Sequence, residues 1–394
     1  MPFSVKQYTS HVDVLIIGGG PAGAALALSL QNSGRKVMVL EAQHDFSRPA
    51  DPRALALSYG ARILLQRLGV WDSIAGATPI ETIHISQRGG FGRAVLTAAA
   101  SGVDALGYVV NYSALSQALH QALSQANPLY LTGAVVSGVK STPGFGVAEF
   151  EQGGQRHEVT ASLLVLADGG RSLAQVGGVE RHVVDYQQTA VICHVSAERP
   201  RRHVAFERFT PFGPMALLPS GAGYDLVWTA RPDEAETLLQ LDDSAFLDKL
   251  HERFGDRLGA FTSVGKRSSF PLSLKYARPV TAQRMALIGN AAQTMHPVAG
   301  QGFNLGLRDA WELGEEIINT PPAEIGNPAM LQRYRDGRRS DTGGSILFTD
   351  LLVRLFSNDY AGVGLGRGLA LAALDLLPGA KRLVARKMIF GAKG

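Results

Sequence analysis

Three features of the sequence predict an α/β protein in which a parallel sheet is joined to a mainly antiparallel one and to a helical C-terminal region. A strand, a glycine turn, a helix and a second strand follow one another over residues 13–41. Two later apolar runs, 163–167 and 284–288, also end in turns, and residues 184–270 alternate with a two-residue period. At 394 residues the chain exceeds the roughly 150 of one ordinary domain, so two or three linked modules are expected. Hydrophobic residues make up 45% and charged residues 18%, enough to bury a large core and to exclude a disordered chain.

Other classes are excluded by what the chain lacks. Cys193 stands alone, so no intramolecular disulfide or thiolate metal site can form, and a reducing compartment fits. Residues 1–11 are polar and mixed, without the apolar run of a secretory signal. The apolar stretch 361–380 is interrupted by Arg367, Asp375 and Pro378, which a bilayer-spanning helix does not readily carry. A cytoplasmic protein is expected. Its net charge of +4 is uneven, because eleven basic residues stand against five acidic ones from Leu331 onward. Such a tail is either a solvated helix face or a surface that rests peripherally on an anionic inner membrane.

The first element carries the most information. The run Val14-Leu15-Ile16-Ile17 reads as a buried strand and leads directly into Gly18-Gly19-Gly20-Pro21-Ala22-Gly23. In this pattern Gly18 permits a tight turn, Gly20 lets the backbone approach a pyrophosphate, and Gly23 lets the next helix pack closely on the sheet. The helix from Pro21 stops at Ser33-Gly34, a second strand covers residues 36–41, and Glu41 falls where an acid binds ribose hydroxyls. Strand, helix, second strand and acid together point to a Rossmann-like dinucleotide site, without deciding between NAD and FAD.

The next two runs repeat the device. Residues 163–167 end in Asp168-Gly169-Gly170-Arg171-Ser172. Residues 284–288 end in Gly289-Asn290-Ala291-Ala292 and continue through His296-Pro297 and Gly300-Gln301-Gly302-Phe303-Asn304 into a helix with Leu307, Ala310, Trp311 and Ile317 at helical spacing. A helix N-terminus there presents bare N–H groups.

With these segments in this order and spacing, the sequence resembles the flavoprotein aromatic hydroxylases of the para-hydroxybenzoate hydroxylase fold, over nearly the whole chain. The stretches Asp51-x-Arg53-Ala54-x-Ala56-Leu57-Ser58, Leu106-Gly107-Tyr108-Val109-Val110 and Glu207-Arg208-Phe209 through Gly213-Pro214 to Leu217-Leu218-Pro219 are similar to the ubiquinone-biosynthesis hydroxylases, in particular the branch acting on 2-polyprenyl-6-methoxyphenol. The resemblance implies noncovalent FAD, NAD(P)H as a transient reductant, O2 as cosubstrate, and ring hydroxylation of a prenylated phenol through a flavin C4a-hydroperoxide. It implies an FAD-binding domain over 1–75, 104–183 and 276–344, a substrate domain over 76–103 and 184–275, and a helical region over 345–394. Gly18, Gly20, Gly23 and Glu41 would hold the ADP half. Arg53 and Gln117 would reach the phosphates and ribityl chain, and Asp168 and Asn290 would flank them. Gly300, Gly302 and Asn304 would open the helix aimed at the flavin ring, with His296 and Pro297 beside the substrate. The wider family carries Gly-Asp and a later His where this chain has Asn290 and Gln293; an Asn still accepts a hydrogen bond, so flavin binding is expected to survive. His296 is either a base for the phenol proton or a residue that orients its loop.

Within residues 184–270, Phe206, Phe212, Met215, Leu217 and Trp228 either line a polyprenyl pocket or belong to the core. No metal cluster, nucleophile elbow or nucleic-acid module is present in the sequence. Besides the prenylated phenol, the implied partners are other ubiquinone-biosynthesis proteins, while the apolar C-terminal stretches suit either packing on the flavin domain or pairing of two subunits. The competing functions are a ring hydroxylase of other regiochemistry, a hydroxylase of small soluble aromatics, and a membrane-associated assembly subunit without turnover.

Overall fold

Val14, Leu15, Ile16 and Ile17 are apolar on both faces, and such a strand is stable only where both faces are covered. In the computed structural model, which describes residues 10–44, 53–127, 129–297, 300–356 and 363–391, the strand His11–Ile17 lies inside a parallel sheet. It pairs in parallel with Val37–Glu41 on one side and Gln155–Leu166 on the other; Tyr130–Thr132 and Met285–Leu287 continue the parallel order outward. Val14, Ile16, Val39 and Val165 pack beneath the helices Pro21–Ser29, Tyr112–Ala126 and Gln301–Asn319. Leu15, Ile17, Leu40 and Leu164 face the opposite way, against Val139, Ala148 and Phe150 of the antiparallel strands Val135–Ser141 and Gly146–Gln152. Two apolar layers thus clamp the sheet, each fully buried side chain contributing about 1.5–3 kcal/mol.

The second sheet is antiparallel through Ser268–Arg278, Glu180–Ala197, Gly223–Ala230, Gly213–Ser220 and Val204–Thr210. Among the described residues its one parallel pairing joins Val204–Thr210 to Thr82–Gln87, which forms a hairpin with the edge strand Arg93–Thr97. The ladder begins at Glu180 and takes in Tyr276–Arg278 and Gln293–Thr294, so it extends past residues 184 and 275 in both directions. Phe206, Met215, Leu217 and Trp228 are buried on the face covered by the helices Pro232–Gln240 and Asp243–Phe254, where Trp228 meets Phe246 at 5.8 Å. They are core residues. The fifth, Phe212, is exposed between Arg231 and Arg253. Alternation identifies a sheet but does not say which face meets a helix and which meets a ligand.

A small sheet of Ala54–Ser58, Gly107–Asn111 and Thr78–Ile80 bridges the two large ones. The C-terminal region is helical over Pro328–Phe356, Val363–Leu376 and Pro378–Phe390. The last of these packs on the body through Ala385 and Ile389, which are buried with Leu96 and Leu106. Among the described residues no helix is long and apolar enough to cross a membrane.

A buried ionic network joins the Gln301–Asn319 helix to the Pro328–Phe356 helix. Arg338 donates to Asp309 Oδ1 at 2.6 and 2.9 Å, to Asp341 at 2.8 Å and to Glu312 at 2.9 Å, and Arg308 closes on Asp341 at 2.7 Å. Arg338 and Asp309 are almost fully enclosed, so losing either partner would strand a charge at a cost of about 3–5 kcal/mol.

Candidate active site

The glycine turn has the backbone its residues allow. Gly18 sits at φ +106 and donates to Leu40 O at 2.8 Å, and a Cβ there would fall 2.7 Å from the Ala167 carbonyl. A Cβ on Gly23 would stand 1.9 Å from Gly18 O, which makes glycine obligatory at both positions. Gly20 differs: among the described residues no atom lies within 4 Å of where its Cβ would be, so the missing side chain leaves open space at a helix start that has no side-chain cap. Bare N–H groups facing open space form an anion cradle. Glu41 closes it from the neighbouring strand, its Oε2 accepting from Gly19 N at 2.6 Å and its Oε1 from Gln43 N at 2.7 Å.

Two further turns meet this one. Asp168 accepts from Gly170 N at 2.9 Å and Ser172 N at 2.8 Å, so both carboxylate oxygens brace their own loop. Gly289, at φ +58, faces Ala22 of the first helix so closely that a Cβ would lie 2.8 Å from the Ala22 methyl. Asp309 holds this turn from below by accepting from Gly289 N at 3.1 Å. The same carboxylate oxygen accepts from Gln293 Nε2 at 2.5 Å, which places Gln293 in the ionic network beneath the turn. Asn290 is exposed beside it, and its carbonyl would lie 3.9 Å from a Cβ on the buried Gly170. Arg53 is exposed, its guanidinium 5.3 Å from the Tyr112 ring and 5.4 Å from that of Phe270, and Gln117 is exposed on the Tyr112–Ala126 helix. Asp51, Val298 and Ala299 lie outside the described residues.

At the start of the Gln301–Asn319 helix, Gly300 adopts φ +62 against Ala56, and the helix has no side-chain cap. Gly302 faces open space. Asn304 binds protein on all sides: Oδ1 accepts from Ser58 N at 2.9 Å, and Nδ2 donates to Ala56 O at 3.0 Å and Gly300 O at 2.7 Å. It therefore fixes the helix start to the bridging sheet. Pro297 is exposed, and its carbonyl accepts from Gly300 N at 2.9 Å. His296 is buried edge-on to Tyr186 at 5.5 Å, and burial pulls its pKa down to about 4, so the ring is neutral at pH 7 and a weak base.

Sequence reasoning passed over Glu207, although it lies in the Glu207-Arg208-Phe209 stretch. In the strand Val204–Thr210 it pairs across Ile85 and Ala216, on the same sheet face as Ala205 and Phe209. Ala205 packs with Ala54, Ala56 and Val109, so this face looks toward the bridging sheet that Asn304 ties to the Gln301–Asn319 helix. Burial pushes the Glu207 carboxyl up to about 8. The alternation places Glu207 opposite Phe206, but only the packing shows which face is the inner one.

Residues 11–342 match the family described as FAD binding domain. Over 95% of its length the chain is 38% identical to ubiquinone hydroxylase UbiL of Rhodospirillum rubrum, covering 88% of that protein. It is 31% identical to the 3-demethoxyubiquinol 3-hydroxylase of Escherichia coli, over 92% of this chain and 94% of that one. The chain belongs to the FAD-dependent ubiquinone hydroxylases. This hydroxylase also shares its fold with p-nitrophenol 4-monooxygenase from Pseudomonas putida, at a TM-score of 0.77 and 18% identity over 98% of this chain and all of that one. It is a flavoprotein enzyme, and the three converging turns with their uncapped helix starts fit an extended FAD.

Because the space before Gly20 is open, Gly20→Val should fold normally yet bind FAD at least tenfold more weakly; flavin titration with wild-type-like unfolding and unchanged affinity would remove Gly20 from the cradle. A second expectation concerns pH. Glu207 keeps its proton to about pH 8 when folded but loses it near its ordinary 4.5 when unfolded, so its contribution favours the fold below pH 4.5 and is lost progressively up to pH 8. In flavin-stripped protein, Glu207→Gln should match wild type in Tm at pH 4.5 and exceed it increasingly toward pH 8. A constant difference across that range would contradict the buried acid.

Proposed function

We propose that this enzyme hydroxylates the aromatic ring of a polyprenylated phenol of the 2-polyprenyl-6-methoxyphenol type in ubiquinone biosynthesis, with NAD(P)H as transient reductant and O2 as cosubstrate. The observation that carries the prenylated reading is the 38% identity to ubiquinone hydroxylase UbiL over 95% of this chain. A small apolar recess beside Gln301 and Asn304, walled by Ile83, Leu96, Met388 and Ile389, lies between the Gln301–Asn319 helix and the Pro378–Phe390 helix. FAD, when bound, supplies the redox chemistry that activates O2. Gly18, Gly20, Gly23, Glu41 and Asn290 would hold it, with Arg53 and Gln117 at its phosphates and ribityl chain. Asp168 and Asn304 would act by bracing their loops. The uncapped helix start at Gly300–Gly302 would stabilise negative charge on the flavin ring without a charged side chain.

Glu207 would meet the substrate from the sheet. Protonated at neutral pH, it would donate its O–H to a ring oxygen substituent and orient the ring, while neutral His296 shapes the wall behind. A second reading, hydroxylation at another ring carbon, is favoured by the similarity to the 3-demethoxyubiquinol 3-hydroxylase. Incubating the flavin-loaded enzyme with NAD(P)H, O2 and prenylated or unprenylated 2-methoxyphenols should give a ring-hydroxylated product from the prenylated compound at least tenfold faster. Equal rates on both would favour small aromatics, and turnover only of later ring-substituted quinols would favour the second reading.

The reading also places the enzyme peripherally at the membrane that holds such a substrate. Leu351, Leu365, Leu369, Leu376 and Leu383 of the three C-terminal helices are all more than half exposed. Basic residues at the anionic surface would each add about 1 kcal/mol to this shallow apolar contact. Sedimentation with anionic vesicles should fall with salt and fall further when Lys381, Arg382, Arg386 and Lys387 become Gln. Equal binding to anionic and neutral vesicles at low and high salt would leave these helices as a packing or pairing surface.

A further inference from the structure

A cavity of about 830 Å3 lies beyond the ends of the strands Thr82–Gln87 and Val204–Thr210 and shares none of the flavin-site residues described above. The hairpin turn 88–92 forms one wall, the end of Val204–Thr210 another, and the helix Val363–Leu376 the third. Five arginines line it: Arg88, Arg93, Arg208, Arg257 and Arg367. Glu252 pairs with Arg88 at 3.2 Å, and the charge of Arg93 reaches Asp375. Among the described residues Arg93, Arg208 and Arg257 enter no ion pair.

The walls of the cavity are built around this unbalanced charge. Arg208 donates to Ser86 Oγ at 3.4 Å, while its Nε is buried without a hydrogen-bond partner. Burial and then the charges of Arg257 and Arg88 lower its basicity, and burial with Arg201 and Arg93 does the same to Arg257. His84 lies beside Arg257, Nη1 to Nδ1 at 3.3 Å; burial and that guanidinium hold it near pKa 4, so the ring accepts the bond and adds no charge. Arg367 is 8% exposed and anchored by donation to Leu355 O at 3.3 Å. Gathering guanidiniums in a partly desolvated space is costly unless an anion occupies it.

We propose that this cavity binds a phosphate-bearing anion, a diphosphate or phosphodiester held by Arg93, Arg208 and Arg257. Planar guanidiniums match phosphate oxygens bidentately, and the volume suits a phosphate with part of the group it carries. Two sources share that chemistry. One is a soluble diphosphate such as that of a nucleotide. The other is an anionic phospholipid headgroup, for which Leu365 on the cavity lining is 60% exposed and Leu369, one turn on, is 56% exposed.

The test uses the full-length, flavin-loaded enzyme in two arms, calorimetric titration with pyrophosphate and sedimentation with phosphatidylglycerol against phosphatidylcholine vesicles. The variants are Arg93→Gln with Arg257→Gln, and Arg93→Gln alone, whose exposed position makes it safe for folding; flavin content and Tm report integrity. A pyrophosphate affinity weakened about tenfold or more in the double variant supports the site and assigns it to a soluble phosphate. Loss of phosphatidylglycerol-selective sedimentation in the variants, without pyrophosphate binding, supports it and assigns it to a lipid headgroup. Binding of neither probe by the wild-type enzyme, or binding that both variants leave unchanged, overturns it.

Discussion

Asp309 is buried to 2% exposure, so its charge must be met inside the protein, and the way it is met organises the cofactor half of the molecule. One oxygen takes two bonds from Arg338; the other takes the N–H of Gly289 and the amide of Gln293. A single carboxylate therefore locks the Gly289 turn, the helix Gln301–Asn319 and the helix Pro328–Phe356 into one body. The turn is held against Ala22, and through it the third strand end reaches the glycine fingerprint of the first. Gln293, which looks like a departure at the cofactor when read in one dimension, is part of this support.

The carboxylates of the flavin cradle, Glu41 and Asp168, are spent on bracing their own turns. The helix starts at Pro21 and Gln301 are uncapped by side chains, His296 is kept neutral by burial, and Glu207 is kept protonated. Backbone dipoles are left to answer negative charge, which costs no reorganisation when that charge develops. Asn304 contributes by position, since its amide spans Ser58, Ala56 and Gly300 and so sets the distance between the helix start and the bridging sheet.

Charge is concentrated elsewhere. The arginine cavity and the exposed leucines of the C-terminal helices share the helix Val363–Leu376, so one element joins a cationic recess to an apolar surface. That arrangement gives the half built on the antiparallel sheet a face chemically unlike the flavin half. The last helix, Pro378–Phe390, is both a wall of the small apolar cavity and part of the exposed leucine surface.

Local chemistry made much of the molecule legible in the sequence. Gly18, Gly20 and Gly23 state a turn geometry, Glu41 closes it within 22 residues, and the apolar runs before Asp168 and Gly289 state two more strands of the same kind. These signals are readable because each depends on backbone conformation or on partners nearby in the chain. What depended on distant partners was not. The same alternation that identifies Val204–Thr210 as a strand leaves open which side is the core, and only packing against Asp243–Phe254 assigned Phe206 inward and left Glu207 on the face of Ala205, toward the bridging sheet. Likewise the pairing of Asp309 with Arg338, 29 residues on, and the meeting of Arg88, Arg208 and Arg367 in one recess arise from chain segments that tertiary structure alone brings together. Burial, charge balance and the facing of a sheet are properties of neighbours in space, and a linear pattern with period two or 3.6 carries no record of them.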